Sequence, residues 1–244
     1  MSGVISAIQF LTAVPIRTKK ENLAAAPAWF PLVGLFLGLA LIGMYRVFWV
    51  LHFERFSISV FLVVLSLFLT GGLHLDGLAD TTDALASGKS KEEMLSIMRD
   101  SHIGAMGVLS IVCVLLLKIS LLSSISSGAM SASLILTMLL SRWSMVFAMF
   151  LFPYARAEGK AKILVESTNV KQFVIATIVA LACAGAVWRL KGLFVFIAIS
   201  IATYIFARYI SKKLGGMTGD ALGATNEVIE LSVLFIISVI GKGG

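Results

Sequence analysis

The chain has 244 residues, 59% of them hydrophobic and 14% charged, with a mean hydropathy of +0.98 and a formal net charge of +7. Soluble domains carry about a quarter charged residues, so these proportions exclude a water-soluble globular protein and predict an integral membrane protein. A hydrocarbon core about 30 Å thick needs roughly 20 apolar residues per helix, which allows about seven spans and no separate soluble domain.

Residues 1–16 are apolar and end near Pro15. They lack the basic leader and small-residue cleavage site of a signal peptide, so they are expected to be retained, in or dipping into the interface. Long apolar runs then predict spans near 29–51, 57–73, 104–122, 131–153, 172–188, 192–210 and 228–240. The last, at 13 residues, is expected to be tilted or partly buried. Without an internal repeat, low-complexity tract or long linker, residues 1–244 read as one all-α, polytopic transmembrane helical bundle. Cys113 and Cys183 sit inside apolar runs and suggest neither a disulfide nor a metal site.

The basic residues set the orientation. With the N-terminus inside, the inner segments hold Arg17, Lys19, Lys20, then Lys89, Lys91, Arg99, then Arg156, Lys160, Lys162, Lys171, and finally Arg208, Lys212, Lys213. The outer ends hold only Arg46, Arg55, Arg189, Lys191 and Lys242. Short cytoplasmic loops carry the excess of Lys and Arg, so segments 74–103 and 211–227 are expected on the cytoplasmic side, and the active face with them. The basic residues are dispersed without interleaved aromatics, which fits membrane lipid and excludes nucleic acid as a partner.

The strongest chemical signal follows the second run: Gly71-Gly72-Leu73-His74-Leu75-Asp76-Gly77-Leu78-Ala79-Asp80-Thr81-Thr82-Asp83. On a helix, offsets of 4 and 7 residues rotate by about 40° and about −20°, which puts Asp76, Asp80 and Asp83 on one face. Three carboxylates at a membrane boundary repel one another, and a hard cation such as Mg²⁺ would relieve them. Gly77 is expected to let a phosphate or metal approach closely. A lone acidic cluster is usually a solvated face, but a second lies at residues 215–227, where Asp220 and Glu227 share the i, i+7 relation beside Gly215, Gly216 and Gly219. Two acidic faces directed to one membrane side predict a site.

Ser90 and Glu93 form a capping-box pattern that starts a short helix leading to Arg99-Asp100-Ser101-His102-Ile103-Gly104. Arg99 and His102 are candidates for pyrophosphate contact and Asp100 adds a carboxylate. Arg142, in mid-span, is expected to face the bundle interior and pair with an acid. Lys118 is expected to snorkel toward an interface, and His74, about 160° from Asp76 on a helix, to pack or cap.

At these residues the sequence resembles the cobalamin synthase family, also called adenosylcobinamide-GDP ribazoletransferase. The motifs that carry the resemblance run along nearly the whole chain: Phe10-Leu11-Thr12 with Pro15, Phe30-Pro31-Leu32-Val33-Gly34, Leu73 to Asp80 with Asp83, Met98 to Gly104, Ser141-Arg142, Pro153-Tyr154-Ala155-Arg156, and Gly219-Asp220 with Gly223, Ala224 and Glu227. Many relatives have Arg where this chain has His102. The resemblance implies a Mg²⁺-dependent membrane phosphotransferase that joins adenosylcobinamide-GDP to α-ribazole or its 5′-phosphate and releases GMP. It assigns catalytic roles to Asp76, Asp80, Asp83, Asp220 and Glu227, with Asp76, Asp80, Asp83 and Asp220 as metal ligands. Substrate contact is expected from Arg99, Asp100, His102, Arg142, Arg156, Gly77 and Gly219. An oligomer is compatible with the sequence. Phospholipid-forming phosphotransferases that use CDP-alcohols would also hold Mg²⁺ with helix-end aspartates, but their motif begins Asp-Gly-x-x-Ala-Arg, whereas here it runs Asp-Gly-x-x-Asp-x-x-Asp. A cation transporter would place its acids near the bilayer midplane instead.

Overall fold

The computed structural model describes residues 2–16 and 21–241. Arg17, Lys19, Lys20 and Lys242, used above for orientation, lie outside the described residues. The described chain forms α1 (Ser2–Leu11), α2 (Phe30–Val50), α3 (Arg55–Thr70), α4 (Leu73–Ala86), α5 (Lys91–Ile97), α6 (Ala105–Ser124), α7 (Ser127–Leu151), α8 (Lys162–Ser167), α9 (Val170–Leu214) and α10 (Gly219–Ile240). Among the described residues no strand occurs, only an isolated parallel bridge between Tyr154 and Met217.

Helix α7 is buried on nearly all sides and is the central helix, enclosing Leu136, Leu139, Leu140, Trp143 and Val146. Helix α2 reaches it through Gly34 and Gly38, one turn apart. A Cβ at Gly34 would stand 2.9 Å from Leu139 Cα, and one at Gly38 2.7 Å from Ile135 Cα. Small residues at this spacing let two backbones touch, which is how helices gain packing where lipid offers no hydrophobic drive.

Helix α3 ends at two successive glycines, Gly71 (φ 65°) and Gly72 (φ 70°), both left-handed, and the chain turns through 90° into α4. Helix α4 therefore runs at right angles to α3 and packs Leu75 and Leu78 against Val114 and Ala224. The capping box expected at Ser90 and Glu93 is present and starts α5.

Five helices are long and apolar enough to cross a membrane, or six if the bent pair α3 and α4 counts as one span. The 45-residue α9 is two limbs, since Trp188 and Arg189 (φ 47°) leave helical geometry. A Cβ on Gly192 would collide with the Ala184 backbone, a contact that an unbroken helix, rising about 12 Å over eight residues, could never make. The limbs, 170–187 and 190–214, run back to back, so the expected count of about seven is reached by counting each separately. The seventh segment is longer than its 13 apolar residues suggested. Thr218 Oγ1 accepts from Ala221 N at 3.0 Å and starts α10 at Gly219, so Asp220 and Glu227 lie on the last span and not on a preceding loop.

Helix ends sort onto two faces. At one, Ser126 Oγ donates to Gly241 O and Lys191 Nζ to Ile240 O. At the other lie α4, α5, the 153–169 connection and the start of α10. There, Met217 N donates to Pro153 O at 2.8 Å and Ala155 N to Met217 O at 2.9 Å.

Candidate active site at one end of the bundle

Helices α4 and α10 cross at two glycines. A Cβ on Gly77 would lie 2.9 Å from Asp220 Cα, and one on Gly223 3.2 Å from His74 Cα. Gly77 thus admits the α10 backbone, whereas the sequence reading expected it to admit a phosphate or metal. The crossing brings Asp76 and Asp80 beside Asp220, 140 or more positions away in the chain. The Pro153–Met217 backbone bonds fix the strand-like segment that delivers Arg156, whose Nη2 donates to Asp220 Oδ2 at 2.9 Å. Burial first, then the negative charges of Asp76 and Asp220, push the Asp80 carboxyl up to about 6 against the opposing pull of Arg156.

A cavity of about 220 Å³ opens beside these groups, lined by Phe10, Leu73, His74, Asp76, Met145, Tyr154, Arg156, Gly159, Lys160, Ala161, Gly219, Asp220 and Gly223. Of the residues for which the sequence suggested substrate contact, Gly219 and Arg156 lie on its wall. Phe10 and Tyr154 stand in the sequence only as motif residues and Lys160 only as a loop charge, because no local pattern shows that α1 and the 153–161 connection meet.

Asp83 shares a helix face with Asp76 and Asp80, but its carboxylate is engaged elsewhere. Gly104 N donates to Oδ2 and Gly107 N to Oδ1, each at 2.7 Å. Asp83 thus caps the exposed start of α6 and anchors the loop that carries Arg99, Asp100 and His102. On that exposed loop Asp100 Oδ1 pairs with His102 Nδ1 at 2.6 Å and accepts from His102 N, which holds the Asp100 carboxyl below its usual range. None of these three lines the cavity.

Glu227 is separated from Asp220 by about 10 Å along α10. It lies in a buried ion cluster that also holds Lys118, Arg142 and Glu230, each at most 4% exposed. Lys118 Nζ donates to Glu227 Oε2 at 2.7 Å and to Glu230 Oε2 at 2.6 Å. Arg142 pairs with Glu230 and donates to Ser141 Oγ, and Asn226 Nδ2 donates to Glu230 Oε1. Lys118 is therefore not snorkelling. Arg142 has the acidic partner expected of it, but that partner is Glu230, which the sequence reading passed over. The signal was present: a Lys and an Arg inside apolar runs require two buried anions, and Glu230 follows Glu227 by three residues on the same face. His74 stands between this cluster and the cavity, 2% exposed, with Nε2 unpartnered.

Residues 3–238 match the profile of the family described as Cobalamin-5-phosphate synthase. The chain belongs to that family. It is 38% identical to an adenosylcobinamide-GDP ribazoletransferase of Caldanaerobacter subterraneus subsp. tengcongensis, covering 98% of this chain and 99% of the relative. It is 37% identical to one from a Thermoanaerobacter species (95% and 94% covered) and 33% identical to one from Brevibacillus brevis (97% and 98%). No solved structure matches the chain.

Among the described residues, no three His, Cys, Asp or Glu side chains converge closely enough to enclose a metal. Mg²⁺, however, is commonly held by one or two carboxylates together with waters and substrate phosphates. Asp76, Asp80 and Asp220 offer only oxygen donors, and the charges of Asp76 and Asp220, which add to burial in raising the Asp80 proton affinity, are an excess a divalent cation would relieve. The residues fit the ion.

Proposed function

We propose that this protein transfers the adenosylcobinamide-phosphate moiety of adenosylcobinamide-GDP to α-ribazole or its 5′-phosphate, forming adenosylcobalamin or its 5′-phosphate and releasing GMP. The observation that carries the reading is the meeting of Asp76, Asp220 and Arg156 on the wall of one cavity, with Asp80 close enough to feel all three charges, in a chain of the matching family.

The transfer forms a bond between a ribose hydroxyl oxygen and the phosphorus that bears the cobinamide, and it breaks the bond from that phosphorus to the bridging pyrophosphate oxygen. GMP leaves with the electron pair, and the hydroxyl proton passes to a carboxylate of the site. Mg²⁺ would be held by one or two of Asp76, Asp80 and Asp220 together with waters and the substrate pyrophosphate, and would supply charge neutralisation on the transferring and leaving oxygens. Arg156 supplies a fixed positive charge against the same oxygens and is itself oriented by Asp220. Asp83 acts at one remove, by holding the Arg99–Gly104 loop against α4. The site end of the bundle faces the cytoplasm in this reading, since the basic loops of the sequence gather there.

The deciding experiment is incubation of the purified protein with adenosylcobinamide-GDP, α-ribazole and Mg²⁺. GMP formation that needs all three additions supports the assignment. Its absence from folded protein overturns it.

A further inference from the structure

The cavity has a definite polarity along its depth. Its floor is made by two nearly inaccessible side chains, His74 and Met145, and Phe10 and Tyr154 contribute aromatic wall. Its mouth carries the charges: Asp76 is exposed and Arg156 and Asp220 are part-buried. Two buried nitrogens of lining residues, His74 Nε2 and Arg156 Nε, have no hydrogen-bond partner. Neither nitrogen is open to solvent, so neither dictates a hydrogen bond to an occupant of the cavity.

The volume limits what that molecule can be. At about 220 Å³ the cavity falls below the range of about 300–1,000 Å³ that encloses a drug-sized ligand. It admits a flat bicyclic ring but not a corrinoid macrocycle. Phe10, Leu73, Met145 and Tyr154 offer apolar surface and ring faces to a planar base, while the charged groups gather at the mouth.

Resting on the function given above, we propose that this cavity is the acceptor subsite: it takes the apolar, dimethylated benzimidazole base of the nucleoside, with the ribose at the mouth. The attacking hydroxyl is then presented at Asp76, Asp80 and Asp220, and the large donor lies across the membrane face with only its pyrophosphate reaching that rim. Phe10 and Tyr154 become the residues that read the base, and they select ring shape and apolarity over hydrogen-bonding pattern.

The test uses full-length protein in lipid nanodiscs. Binding of α-ribazole is measured without donor by equilibrium dialysis, and 5,6-dimethylbenzimidazole and guanosine are added as competitors. Two variants probe the wall: Phe10→Ala, which removes an aromatic side, and Leu73→Trp, which adds bulk at a position 46% exposed and so leaves the core packing alone. The proposal expects dimethylbenzimidazole, but not guanosine, to displace the nucleoside. It expects each variant to weaken nucleoside binding about tenfold and to raise the acceptor KM similarly, with the donor KM within twofold of wild type. Displacement by guanosine, or a rise in the donor KM alone, overturns it. The two readings fail separately: no GMP despite retained nucleoside binding would sink the function, whereas GMP formation with unaltered acceptor KM in Leu73→Trp would sink the subsite.

Discussion

Replacing Lys118 by Met removes the cation shared by Glu227 and Glu230 and leaves two buried carboxylates facing Arg142 alone. Each Lys118 contact, at 2.7 and 2.6 Å, amounts to about 6 kcal/mol of gross attraction at an effective dielectric constant near 20. Desolvation of several kcal/mol per ion offsets much of this, so the net loss on breaking the cluster is expected near 3–5 kcal/mol. At about 2–4 °C per kcal/mol for a chain of this length, the melting temperature should fall on the order of 10 °C. The assay is thermal unfolding in nanodiscs followed by intrinsic tryptophan fluorescence. The double variant Lys118→Met, Glu227→Gln removes one charge of each sign and leaves the Arg142–Glu230 pair intact, so it should recover most of the stability and form GMP within about fivefold of the wild-type rate. A Lys118→Met variant that melts like wild type would refute the charge argument. A double variant that is stable yet inactive would return Glu227 to the chemistry.

Asp76→Ala and Asp80→Asn should each lower GMP formation by a factor of about 100 or more while leaving the melting temperature within a few degrees, since neither side chain packs in the core; near-normal rates in both would remove them from the site. Asp83→Ala and Gly107→Ala should instead speed amide hydrogen exchange across residues 99–107, because one deletes the carboxylate that caps α6 and the other drives a methyl into it. Unchanged exchange in both would contradict the capping role. Asp80 has a folded pKa of about 6, above its ordinary 3.8, so between those values the unfolded chain has released a proton that the folded chain keeps. Without Mg²⁺, stability should therefore fall as pH rises through about 4 to 6, and that slope should be reduced in Asp80→Asn, as read by melting temperature against pH. A proton also competes with the cation, so the Mg²⁺ concentration for half-maximal rate should rise as pH drops below about 6 in wild type. A cysteine placed at Ser87 should react with impermeant thiol reagents only from the cytoplasmic side; labelling from outside intact cells would reverse the orientation.

The sequence by itself determined the solvent the chain lives in, the approximate location of each apolar segment, the capping box at Ser90, and the acidic face of α4. All of these follow from composition or from spacing within one helix, where geometry is fixed by 3.6 residues per turn. It also carried the family, because the motifs run along nearly the whole chain. Which acids act together was decided only by the tertiary structure. Asp220 and Glu227 look equivalent at i and i+7, yet the Gly77–Asp220 crossing takes one to the cavity rim while the other sinks to Lys118, 109 positions away in the chain. Asp83 looks like a third member of its triplet, yet the start of α6 claims both its oxygens. A carboxylate has the same pattern in sequence whether it will meet a metal, a lysine or a backbone amide, because its partner comes from another helix and is set by where small residues let two backbones touch.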